Sequence, residues 1–167
     1  MIELCSSITI RNGLNALLAP KEIGIKAVED YIEHHRYGLL YVCGNYSEML
    51  SELKGDFDVR RAFTIYQLLS ILEDFHHDVV FVEHDKLLFD DGNEIVESLF
   101  LALKDVARRG KLVIYYSTKS DYAFDYIAKN TDRFIYFEKE PNGYFIVDSS
   151  FSVSYTHLRA HETRHDL

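Results

Sequence analysis

The side chains in this sequence that could do chemistry are carboxylates at the end of an apolar run, lysines flanking a glycine, and scattered histidines. Glu83, His84 and Asp85 directly follow the run Val79 to Val82 (VVFV), and Asp90 and Asp91 stand on the same loop. A carboxylate there is where a nucleotide hydrolase holds magnesium or the attacking water, and Glu83 and Asp85 are the candidates. The competing role of such a group is to cap or solvate a strand end. Ala19 to Ala27 (APKEIGIKA) lies between a short apolar run and a helical pattern, where helix amides attract anions.

A phosphate loop of the form GxxxxGK[ST] needs a Gly for close backbone approach, a Lys for the β- and γ-phosphates and a hydroxyl for magnesium. With Ala19 at the first Gly, Gly24 takes the second, Ile25 stands in place of the Lys and Lys26 in place of the hydroxyl. The spacing is that of a phosphate loop and the chemistry is missing, so a structural turn is the preferred reading. Lys21 and Lys26 remain as cations able to face a phosphate.

The histidines do not assemble by spacing. His77 and His84 flank opposite ends of one strand, roughly 20 Å apart at about 3.3 Å per residue, which rules out an ion shared by His76, His77 and His84. His34 and His35 close a helix and complement its C-terminal dipole. Cys5 and Cys43 are too few for a disulfide framework and lack zinc spacing, so both read as small buried hydrophobes. No particular histidine is placed beside Cys43 to make it a nucleophile. Tyr115, Tyr116, Tyr122, Phe124 and Tyr126 have too few basic neighbours for a base-stacking platform and read as packing.

These residues need elements to position them. Leu14 to Ala19 reads as a strand, followed by a helix with Ile25, Val28, Tyr31 and Ile32 on one face. Leu39 to Cys43 is a second buried strand, then Gly44 and Asn45, then a short helix that Ser47 caps and Gly55 stops. Asp58 is expected to cap a longer helix reaching about Asp74. Val79 to Val82 is a central strand buried on both faces. Glu94 to Arg109 is the clearest helix, ended by Gly110. Leu112 to Tyr116 is a strand, Asp121 to Lys129 a helix and Phe134 to Phe137 a strand; Pro141-Asn142-Gly143 then turns into an antiparallel edge strand from Tyr144 to Val147. Strands alternating with helices require right-handed crossovers and a mainly parallel sheet covered on both sides, a three-layer α/β sandwich. Ligands in such sheets bind beyond the carboxyl ends of the strands, which gathers Pro20, Lys21, Gly24, Lys26, Asn45, Glu83, Asp85, Ser117 and Thr118 on one edge.

Composition sets limits. The 167 residues carry 18 Lys and Arg against 27 Asp and Glu, a net charge of -9, with 47% hydrophobic residues. That suits one domain with a sizeable core and argues against a phosphate-gripping nucleic-acid binder. No apolar run is long enough to span a membrane, and the start (MIELCSSITIRNG) lacks a basic segment followed by a hydrophobic one. The expectation is a cytoplasmic protein without membrane or nucleic-acid partners.

The last fifteen residues, Val153 to Leu167 (VSYTHLRAHETRHDL), break the pattern and hold His157, His161 and His165. The stretch 153–163 resembles the translated read-through of a transposon-type sequencing adapter. The expectation is therefore one domain over residues 1–152, cut short near Ser152, and a non-native, disordered tail over 153–167. Three histidines at helical spacing could bind metal adventitiously. The tail contains two basic and two acidic residues, so the body keeps the net charge of -9.

The order of these pieces resembles the RecA/KaiC-like branch of the P-loop ATPases over about residues 8–148. The carriers are APKEIGIKAVEDYI, VVFVEHD, LVIYYSTKSD in the place of a sensor strand, and DRFIYFEKEPNGYFIVD in the place of the closing strand and hairpin. The resemblance implies a P-loop ATPase fold in an archaeal signalling context, ATP and Mg²⁺ as ligands, Glu83 as the magnesium-site carboxylate with Asp85 beside it, and self-association. The Walker A Lys and Ser/Thr are absent, so the expected member is degenerate: a regulatory or interaction module with weak or no nucleotide binding. The rival expectation is a receiver-like doubly wound domain that binds a partner or a divalent cation through Glu83, Asp85, Asp90 and Asp91.

Overall fold

The computed structural model describes residues 1–4, 8–36, 38–90, 92 and 94–150, together with the backbone of a strand over Tyr155–Ala160. A hairpin of β1 (Ile2–Leu4) and β2 (Ile8–Ile10) precedes the main sheet. The main sheet is built from β3 (Gly13–Leu18), β4 (Leu39–Cys43), β5 (Asp58–Arg61), β6 (Val79–Glu83), β7 (Leu112–Ser117), β8 (Arg133–Glu140), β9 (Gly143–Ser150) and β10 (Tyr155–Ala160). Its order is β10-β9-β8-β3-β7-β6-β4-β5. All pairings from β8 to β5 are parallel, and β9 runs antiparallel to both neighbours.

Four helices cover it: α1 (Lys21–His34), α2 (Ile65–Glu73), α3 (Glu94–Arg108) and α4 (Tyr122–Asn130). β4, β6 and β7 are buried at every position, which is why LLYVC, VVFVE and LVIYYS read as unbroken apolar runs. Alternate strand residues feed two cores. One lies under α1 and the β1–β2 hairpin, with Tyr41, Phe81 and Tyr116; the other lies under α2, α3 and α4, with Val82, Tyr115 and Phe124. The first strand of the parallel set, β3, sits between β7 and β8. In a receiver-like sheet the first strand lies between the second and third, so the rival architecture is not the one adopted.

Two expectations need correction. Asp58 does not cap a helix; it begins edge strand β5, whose four residues are all exposed, and Thr64 caps the helix that follows. Thr64 Oγ1 accepts from the Gln67 amide at 3.1 Å and Gln67 Oε1 accepts from the Phe63 amide at 2.6 Å, an arrangement close to a capping box. After β4 there is only a 3-10 turn, Leu50–Glu52, although Ser47 Oγ does accept from Met49 and Leu50 amides at 3.3 and 2.9 Å. Strand β10 falls within residues 153–167. Its six residues pair along the otherwise open edge of β9, where unbonded amides and carbonyls accept any extended chain; Cys5, Asp91 and residues 151–154 and 161–167 lie outside the described ones.

The β3 to α1 connection is the largest departure. Instead of a loop over residues 19–26, only Ala19 and Pro20 separate strand from helix, and the helix's first carbonyl is that of Pro20, which accepts from Ile23 and Gly24 amides at 2.9 and 3.3 Å. Lys21, Gly24 and Lys26 are helical residues. Pro20 at φ -58° is pre-set for this entry, and Lys-Glu-Ile is a competent first turn. Gly24 faces the ring of Tyr116 so closely that a Cβ there would lie 2.6 Å from Cζ. The Tyr116 hydroxyl, on a ring that is 2% exposed, donates to the Ala19 carbonyl at 3.0 Å.

Replacing Gly24 by Ala should therefore destabilise the protein even though Ala favours helix by about 1 kcal/mol, because overpacking a buried ring costs about 1–3 kcal/mol. The expected net loss of about 1 kcal/mol corresponds to a melting temperature lower by about 2–4 °C, read by calorimetry. An unchanged or raised value would show that the ring can move aside.

Candidate functional site

The carboxyl edge of the parallel strands brings most of the sequence-picked residues to one side of the molecule. Glu83 ends β6 and is 9% exposed. Its Oε1 accepts from the Tyr41 hydroxyl and from Ser47 Oγ at 2.6 Å, and its Oε2 accepts from the Glu48 amide at 3.0 Å. All three partners belong to β4 or the loop after it. Burial, and then the Glu83 charge, push the Tyr41 phenol far above its ordinary range, so it remains a donor. The carboxylate thus works as a clasp holding the loop after β4 onto β6.

Asp85 takes a different post. Its Oδ1 accepts from the Leu87 amide at 3.0 Å and caps the 3-10 turn Lys86–Phe89, while its Oδ2 lies against Gly44, where a side chain would collide with it. Lys21, the cation nearest the start of α1, makes an ion pair with Glu52 at 2.5 Å, both side chains being close to half exposed. Lys26 is exposed. Asn45 is also exposed, and its carbonyl, with that of Gly44, accepts from Arg61 Nη1 at 3.0 and 3.2 Å. Thr118 Oγ1 lies 3.4 Å from Glu48 Oε2. The structure therefore gathers Glu83, Asp85, Gly44, Asn45 and Thr118 on the expected edge, but its cations and carboxylates are bonded mainly to protein groups.

His84 is a residue whose environment the sequence did not reveal. Its side chain is 3% exposed, with Nε2 2.8 Å from Asp121 Oδ2 and Nδ1 2.5 Å from the Tyr115 hydroxyl. Its ring lies 5.4 Å from Phe89 in a stack and edge-on to Phe124 at 5.9 Å. Asp121 also caps α4 by accepting from the Phe124 amide at 2.8 Å. Burial opposes its charge, but that amide and the His84 imidazole outweigh it and hold the carboxyl below the ordinary carboxylate range. The signal available in sequence was only an Asp three residues before a Phe at a helix start. Cys43 is buried, and burial raises its thiol to about 11, which leaves no thiolate for nucleophilic chemistry near neutrality.

Exposed apolar groups rim the same edge. Tyr46, Phe63, Leu87 and Tyr122 are 78, 58, 56 and 59% exposed and follow β4, β5, β6 and β7 in turn.

No family model matches the chain. It is 40% identical over 149 residues, 89% of its length, to an uncharacterized protein of Archaeoglobus fulgidus, of which it spans 76%. In solved structures it is similar to the flagellar accessory protein FlaH from Methanocaldococcus jannaschii, with a TM-score of 0.56, 11% identity, and coverage of 85% of this chain and 79% of that one. At that identity the likeness shows the fold alone: a RecA-like α/β sandwich with a mainly parallel sheet and an antiparallel edge hairpin. Among the described residues no helix is long and apolar enough to cross a membrane.

Two measurements check this reading of the site. Glu83→Gln, which loses one acceptor oxygen and the charge facing three donors, should lower unfolding free energy by about 1–3 kcal/mol in a urea titration with an unchanged slope; a variant as stable as the parent would free Glu83 for another role. For Asp121 the folded pKa is depressed, so its contribution is present above the unfolded pKa of about 3.9 and is lost as pH falls through the lower folded value. Asp121→Asn should flatten the fall of the urea midpoint between about pH 5 and pH 2, and an identical acid limb in both proteins would contradict the assignment.

Proposed function

The chain belongs to the same family as the uncharacterized Archaeoglobus fulgidus protein, and we propose that it is a degenerate ATPase-fold domain acting as a cytoplasmic regulatory or interaction module, with weak or no nucleotide binding. The observation that supports this reading is the short connection between β3 and α1, with Tyr116 packed against Gly24. In a working P-loop the amides ahead of the first helix wrap a phosphate, and a Lys and a hydroxyl complete the cradle. Here helix α1 follows β3 after two residues, and the ring of Tyr116 occupies the space beside Gly24.

The neighbouring groups support the same reading. Lys21 is turned to Glu52 and Glu83 to Tyr41, Ser47 and the Glu48 amide, so charges that would meet Mg²⁺ and phosphate are used to hold loops. The exposed apolar rim on the same edge supports a protein partner or a second copy as the ligand that replaced nucleotide. In this reading residues 1–152 form the domain and residues 153–167 are a non-native tail. A foreign segment can still pair with β9, because edge pairing uses backbone groups alone.

Calorimetry of the full chain with Mg-ATP tests the proposal. The expected result is no saturable binding below millimolar nucleotide. Micromolar affinity accompanied by phosphate release would overturn it, and would bring back Glu83 or Asp85 as the group holding the attacking water in an in-line displacement, with Lys21 or Lys26 neutralising phosphate charge.

A further inference from the structure

Three side chains at the other end of the sheet have no part in the carboxyl-edge reading. β5 begins with Asp58, His76 and His77 lead into β6, and each of the three offers one donor atom within 4.8 Å of the other two. The length of β6 separates them from Glu83 by roughly 20 Å at about 3.3 Å per residue. His77 is 4% exposed, and its Nε2 lies 2.7 Å from Asp58 Oδ2. Its Nδ1 is buried with no hydrogen-bond partner among the described residues. His76 stacks on His77 with ring centroids 4.2 Å apart and planes 24° apart, so the two rings lie face to face. Lys111 Nζ donates to the His77 carbonyl at 2.5 Å and lies 5.0 Å from the centre of the Phe75 ring, which fixes the segment that carries both imidazoles.

We propose that Asp58, His76 and His77 form a binding site for a borderline divalent transition-metal ion of the zinc class. Two imidazoles and one carboxylate suit Zn²⁺, Co²⁺ or Ni²⁺, whereas Mg²⁺ and Ca²⁺ take oxygen donors. In a tetrahedral zinc site with bonds of about 2.0–2.2 Å, neighbouring donors stand about 3.3 Å apart. Donors already within 4.8 Å need to move by about an ångström to reach that spacing. Asp58, 69% exposed at its side chain, and the exposed His76 are free to make that shift, while buried His77 serves as the fixed anchor. Three protein donors leave a fourth position for water or for a group from another molecule. The site rests on no part of the nucleotide reading, and either can fail without the other.

The test uses the full chain with His157→Ala, His161→Ala and His165→Ala, so that the tail imidazoles do not compete. After treatment with chelator, Zn²⁺ is titrated by calorimetry and Co²⁺ by visible absorption. Expected are saturation at about one ion per chain and cobalt bands of low-symmetry nitrogen and oxygen coordination. Asp58→Asn, which keeps an acceptor for His77, and His76→Gln, at an exposed position, should each raise Kd by at least about tenfold while leaving the metal-free melting temperature in place. Absence of saturable binding of either ion, or binding that neither substitution weakens, would overturn the proposal.

Discussion

The close approach of Tyr116 to Gly24 governs how this molecule is put together. A phenol ring cannot lie against a helix at van der Waals distance unless the facing residue lacks a side chain, and Gly24 is the residue of α1 that permits it. The same ring reaches the Ala19 carbonyl through its hydroxyl and sits on β7, next to both β3 and β6. One side chain thereby joins the end of the central strand, the start of the first helix and the neighbouring strand. With α1 held so close, its apolar face, Ile23, Ala27, Val28 and Tyr31, closes the first core, and the β1–β2 hairpin covers what remains.

Much of this architecture could be read from residue order, for definite reasons. β4, β6 and β7 are buried on both faces, so their sequences are unbroken apolar runs, and α3 carries Val96, Leu99, Leu103 and Val106 at helical spacing. β5 could not be read this way. Asp-Val-Arg-Arg is exposed throughout and is a strand because β4 offers it a backbone ladder, not because of its side chains. The Thr64 and Gln67 pair was a usable clue to the true start of α2. The β1–β2 hairpin carried a clue too, in the alternation of Ile2, Glu3 and Leu4 and of Ile8, Thr9 and Ile10.

The candidate site was legible in location and illegible in wiring. A carboxylate after VVFV marks Glu83 as the end of a buried strand. Nothing local says that its partners are Tyr41 and Ser47, some forty positions earlier on the adjacent strand and its loop. His84 is a similar case, since Asp121 and Tyr115 reach it through the sheet and across the top of α4. The GxxxxGK[ST] comparison aligned Gly24 with a phosphate-loop glycine, yet here the missing side chain makes room for an aromatic ring. The same residue type answers a different steric demand. The strand order is set by burial and crossover handedness and does not need phosphate chemistry.

The position of β3 has a consequence for how the chain acquires its structure. Leu14 pairs with Val113 on one side and Asn15 with Arg133 on the other, so both ladders of this central strand come from the distant second half of the chain. During synthesis the segment GLNALL emerges before β7 and β8 and has neither partner strand beside it until they follow. Parallel pairing across so large a sequence separation carries a heavy loop-closure entropy, which slows the search and leaves an apolar strand open to other chains meanwhile. A strand buried at its four inner positions is thus among the last to be sealed.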